Sequence, residues 1–110
     1  MAWAHEREHY RVAYPTALRP KLLVQGVSFD VVDISERGIR FRLGQAERPE
    51  PGFELEGVVR FKRGETVNIR GTVLRVVDGE VASWLEEAIP LRVIMEEQRY
   101  LLDRHRHLGL

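Results

Sequence analysis

Apolar residues fall into short alternating runs parted by turn residues, and only the last stretch changes to helical spacing. From Thr16, the positions Leu18, Leu22, Leu23 and Val24 read as a first strand, with Pro20 marking an edge or a bulge. Gln25-Gly26 breaks it. Val27 to Asp33 reads as a second strand with partial alternation. After Gly38 the run Ile39-Arg40-Phe41-Arg42-Leu43 alternates cleanly, with Ile39, Phe41 and Leu43 inward and the arginines outward. These two runs read as an antiparallel pair. Residues 44 to 52 form a loop that ends in the breaker Pro49-Glu50-Pro51-Gly52. Phe53 to Phe61 reads as a fourth strand and Lys62 to Glu65 as a turn. Thr66 to Val77 is a long fifth strand with Gly71 as a bend or bulge. Asp78-Gly79 is a hairpin signal, and Glu80 to Leu85 completes a sixth strand.

The period then shifts. Pro90 suits a first helical position. Leu91, Ile94, Met95, Leu101 and Leu102 recur at helical spacing, while Glu96, Glu97 and Asp103 lie off that stripe. The spacing predicts an amphipathic helix over about 90–106 whose stripe packs on the barrel. Upstream, residues 1–15 are polar and irregular, a segment that stays flexible unless something ties it down. Residues 16–110 then make one all-β domain with one helix: a six-stranded antiparallel barrel, whose closure removes the sheet edges, with a C-terminal helix over its open end.

Composition narrows the function. The 110 residues suffice for one domain, and 44% hydrophobic content supplies a core. Seventeen basic and seventeen acidic residues cancel, which argues against a binder of nucleic-acid polymers. A small anion held by a few arginines remains compatible. There is no cysteine, hence no disulfide or thiolate metal site. Neither a signal-peptide core nor a membrane-length apolar run is present, so a cytoplasmic protein without membrane contact is expected.

Two motifs carry candidate chemistry. Arg7 and Arg11 form an Arg-x-x-x-Arg pair, and Asp33, Ser35 and Gly38 form an Asp-x-Ser-x-x-Gly turn. The arginine fork matches two phosphate oxygens or the O6/N7 edge of guanine. A carboxylate accepts from the N1–H/N2–H edge of guanine. Ser35 can donate to phosphate or bond nearby backbone, and Gly38 permits a positive φ or close backbone approach. Each motif also has a plainer reading, a solvated charged segment and a hairpin held by its own side chains. His5 and His9 sit at zinc-ligand spacing, with His105 and His107 as distant candidates, but no telling third ligand accompanies them, so no metal site is assigned. Glu86-Glu87 and Glu96-Glu97 read as solvated faces. Trp84 reads as packing, and Trp3 and Tyr10 as stackers on a base or on the barrel. No nucleophile–base constellation appears, so no catalytic residue or cofactor is expected.

Together and in this order, the two motifs resemble the signature of the PilZ domain family, bacterial β-barrels that bind cyclic di-GMP. Val12 and Ile39 also fit that pattern, and the resemblance covers nearly the whole chain. It implies a six-stranded PilZ-like β-barrel with a C-terminal α-helix, acting as a receptor rather than an enzyme. The N-terminal segment would wrap the ligand and relay its presence to an effector protein, with the chain a monomer or weak homodimer. Arg7, Arg11, Asp33, Ser35 and Gly38 would bind the ligand, and Arg75 matches a fifth-strand position that faces guanine. Two departures stand out. Glu6 occupies a position that is often basic, favouring weaker binding or a single bound molecule. Ala82-Ser83-Trp84-Leu85 replaces a Gly-x-x-Phe stretch. A barrel of this type that has lost the ligand and acts by protein contacts is the alternative. A single-stranded nucleic-acid barrel is disfavoured by the charge balance and the sparse aromatics.

Overall fold

The computed structural model describes residues 10–107. Among these residues, seven strands and one α-helix follow in order: β1 (Arg11–Ala13), β2 (Lys21–Val24), β3 (Val27–Ser35), β4 (Gly38–Arg42), β5 (Glu54–Arg60), β6 (Thr66–Val77), β7 (Glu80–Leu85) and α1 (Leu91–His107). Strands β2, β3, β4, β7, β6 and β5 close into a six-stranded antiparallel barrel, because β3 pairs with both β2 and β4. Closure leaves no exposed ladder within that ring. The alternation that predicted the strands also fills the barrel: Val31, Ile34, Ile39, Val59, Val81 and Leu85 are buried inside. Two strands cross closely at Gly71, where an added Cβ would lie 2.3 Å from the Trp84 carbonyl oxygen. The Asp78-Gly79 hairpin has the paired positive φ angles, 53° and 76°, of a tight two-residue turn.

Three expectations need revision. The stretch Thr16–Leu18 is a 3-10 turn rather than the start of a strand, closed by the Leu18 amide on the Pro15 carbonyl at 2.9 Å. Pro15 and Pro20 bracket it, so the ladder begins only at Lys21. Second, the irregular segment before Pro15 contains β1, which pairs Arg11, Val12 and Ala13 with Ser35, Ile34 and Asp33 of β3. It continues along β3 where β2 stops, and Val12 and Tyr14 are buried.

Third, the helix is rotated from the expected face. Of the expected stripe, Ile94 is buried and Leu101 packs partly buried on the core, together with Val93 and with Ile89 just before the helix, whereas Leu91, Met95 and Leu102 are exposed. Glu97, expected in solvent, is buried. A carboxylate at the centre of the buried face breaks the apolar stripe that the spacing seeks. It is tolerated because it is fully paired: its Oε2 accepts from Arg63 Nε at 2.5 Å, and its Oε1 accepts from the Tyr14 hydroxyl at 2.5 Å.

Candidate ligand-binding site

Two β-bulges shape the outer wall of the barrel. On β3, Val31 faces Phe41 of β4 while Asp33 faces Arg40, so Val32 is an extra residue. On β6, Val73 faces Ser83 of β7 while Arg75 faces Ala82, so Leu74 is extra. Val31 and Val73 point into the core. Strict alternation would send Asp33 and Arg75 inward beside them. Each bulge resets the alternation and turns a charged side chain onto the outer face, a common use of bulges next to binding sites.

That outer face carries an open cavity of about 700 Å³, walled by Arg11, Ser35, Arg37, Arg40, Arg75 and Trp84, with Gly38 in the same wall. The volume falls in the range of small-molecule sites. Asp33 lies behind the wall rather than in it. Its Oδ1 accepts from Arg11 Nη1 at 2.8 Å, and its Oδ2 pairs with Arg40 Nε at 3.4 Å. One buried carboxylate thus orients two guanidinium groups that stay more than a third exposed. A guanidinium has five donors, so each keeps donors for a ligand. Arg40 also pairs with Glu80 at 3.6 Å. Arg75 has no carboxylate partner among the described residues, and Arg48 braces the adjoining loop by donating to the Val76 carbonyl at 3.1 Å.

The turn between β3 and β4 is fixed from the opposite side. Arg37 donates to the carbonyls of Glu86 at 2.6 Å and Leu85 at 3.3 Å. The Leu85 and Ile89 amides donate in turn to the carbonyls of Arg37 and Glu36. The Arg37 guanidinium lies 5.8 Å from the centre of the Trp84 ring, within cation–π range. Trp84 is 45% exposed, an aromatic face available to stack on a base. Gly38 lacks a positive φ, so its role is close approach: a Cβ there would meet Ser35 Oγ at 3.2 Å.

Of the residues expected from the sequence, Arg11, Ser35, Gly38 and Arg75 meet at the cavity, and Asp33 supports it. Arg7, Glu6, His5 and His9 lie outside the described residues. Arg37, Arg40 and Trp84 were not among the expected site residues. The signal for two of them was present: alternation sends Arg40 outward beside the motif turn, and it sends Trp84 outward between Ser83 and Leu85.

These features define a small closed antiparallel barrel with an arginine-walled cavity on its outer face, backed by a motif carboxylate. The PilZ domain family model matches residues 5–102, and the chain belongs to that family. Solved structures agree on the fold. Escherichia coli YcgR, solved in complex with cyclic di-GMP, is 10% identical with a TM-score of 0.69, over 90% of this chain and 49% of that one. The Bacillus subtilis inhibitor of motility MotI/DgrA is 16% identical with a TM-score of 0.57, over 90% and 50%. An uncharacterized Legionella protein is 15% identical with a TM-score of 0.54, over 92% and 98%. The chain thus spans about half the length of the first two and nearly all of the third. No curated protein sequence matches it. Among the described residues, no helix is long and apolar enough to cross a membrane.

Proposed function

We propose that this protein binds cyclic di-GMP on the outer barrel face and relays binding to a partner protein through its N-terminal segment. The observation that carries the reading is the Arg11–Asp33–Arg40 group, set beside Arg75, which has no carboxylate partner among the described residues, and the exposed Trp84 around one cavity. The arginines supply donors to phosphate and to the guanine O6/N7 edge, and Trp84 supplies a stacking face. Asp33 acts by holding the two forks in register, since both its oxygens are already engaged. Ser35 and Gly38 let the ligand approach the turn backbone. Arg7, four residues before Arg11, would close over the ligand from the segment 1–15. The chemistry is recognition without bond making. Membership of the PilZ family and the cyclic di-GMP complex of the YcgR neighbour support the same ligand.

Isothermal titration with cyclic di-GMP, and with GTP and cyclic AMP as controls, tests this. Saturable heat specific to cyclic di-GMP is expected, and its stoichiometry reports whether Glu6 limits the site to one molecule. No heat and no thermal shift at about 100 μM ligand, a concentration that would reveal binding at roughly −5.5 kcal/mol or tighter, would overturn it. A barrel acting through protein contacts would then be the better reading, since Arg11 and Arg40 already have a carboxylate to satisfy them.

A further inference from the structure

Strand β1 has two working faces. Arg11 points to the cavity, while Val12 and Tyr14 point the other way and are buried. On that second side lies α1, which packs against β1. The Tyr14 hydroxyl donates to Glu97 Oε1 at 2.5 Å, and the Tyr10 hydroxyl donates to Gln98 Oε1. Two successive helix residues therefore receive two tyrosines that bracket Arg11. The ladder of β1 has three residue pairs, too few to hold a strand unaided.

The acceptor for Tyr14 is set in advance. Glu97 is fixed by Arg63, and Arg63 is fixed in turn by Glu65 through its Nη2 at 3.0 Å. Arg92 of α1 reaches the same Glu65 at 2.9 Å, which ties the helix to the turn between β5 and β6. Burial, and secondly the bond to Glu97, hold the Tyr14 phenol well above its ordinary pKa, so it stays a neutral donor.

We propose that Glu97, acting through Tyr14, is a positioning residue for the ligand site: from the helix it holds β1 against β3 and so keeps Arg11 on Asp33. Neither Glu97 nor Tyr14 reaches the cavity. Linkage makes the effect reciprocal, so a ligand that tightens β1 also steadies α1. The effect on affinity rests on the cyclic di-GMP reading, whereas the hold on β1 does not.

The test compares wild type with Tyr14→Phe, which keeps the ring and removes the donor, and with Glu97→Met, which nearly keeps the size and removes the acceptor. Val59→Ala serves as a core-destabilised control on β5, a strand that does not pair with β1. Native-state amide exchange of Arg11 to Tyr14 is expected to speed up about tenfold in both test variants, with the β5–β6 ladder little changed. Cyclic di-GMP affinity should fall by a similar factor of about ten, the size of one lost buried hydrogen bond. The control should show neither local effect. Unchanged exchange in β1, or acceleration spread evenly over all strands, would overturn the proposal. So would faster exchange at β1 with unaltered affinity. If wild type binds no cyclic di-GMP, the receptor reading falls, and the exchange comparison alone decides whether Glu97 holds β1.

Discussion

Two of the arginine–carboxylate groups among the described residues are opposite in character. Behind the helix, Arg63 spends every nitrogen: Nε on Glu97, Nη2 on Glu65 and Nη1 on Glu96 at 3.4 Å. On the outer wall, Arg11 and Arg40 share Asp33, Arg40 reaches Glu80 as well, and Arg75 has no carboxylate partner among the described residues. The first group is saturated and closed to water on the Glu97 side. The second keeps surplus donors facing a cavity. Surplus, rather than the presence of charge, separates a place that can receive a ligand from one that holds the fold together. The saturated group justifies its burial only while every partner remains.

Truncating the carboxylates should break the comparison most sharply. Glu97→Ala leaves a buried hydroxyl and part of Arg63 unmatched, and should cost about 3 kcal/mol in urea unfolding. Asp33→Ala frees two arginines that water can reach, and should cost about 1 kcal/mol. A reversed order would remove the distinction. Next in size, Arg11→Ala should weaken cyclic di-GMP about ten- to a hundredfold by titration, with stability changed by less than about 1 kcal/mol. Wild-type affinity in that variant would move the site elsewhere. Trp84→Ala removes a stacking face worth about 1–3 kcal/mol per base, so affinity should fall roughly five- to a hundredfold while the barrel stays folded by circular dichroism.

The smallest effect is one of acidity. Glu65 accepts from Arg92 and from Arg63, which hold its carboxyl below the usual value of 4.5. A depressed folded value means the stabilisation is present above the unfolded pKa and is lost as pH falls through the folded one. Stability should therefore decline as pH drops below about 4.5, and Glu65→Gln should flatten that decline. Part of the slope will survive in the variant, because Asp30 is likewise lowered, by its bond from Lys21.

The barrel was legible because its strands alternate on one packed face. β6 and β7 begin and end where the turn residues say, and Asp78-Gly79 leaves little choice between them. β1 escaped notice because three residues are shorter than any reliable period. A bulge on the long strand is expected at Gly71 but lies at Leu74, and the one at Val32 gives no signal of its own, since an extra residue reads only as lost alternation in Val27 to Asp33. The helix is legible at nearly its full length and its face in part: Ile94 and Leu101 do pack on the core, but Glu97 interrupts the buried side while Leu91 and Met95 fall on an exposed one. Arg11, Ser35 and Gly38 stand in the two motifs, whereas Arg75 rests only on the family resemblance. Alternation places Trp84 outward but does not say that it borders the cavity.

The bulges at Val32 and Leu74 have a consequence for how such a protein can change over generations. They put the ligand wall on the outside of a barrel whose inside is packed solid, so cavity residues and core residues share strands but rarely share neighbours. Substitutions on the two sides should then add nearly independently. A lineage can retune Arg40, Arg75 or Trp84 for another anionic guest, or abandon the guest, without repacking Ile39, Val76 or Val81 behind them. What it cannot spend freely is the bulged geometry itself, because drawing Val32 or Leu74 into regular pairing would swing Asp33 or Arg75 from the wall into the core.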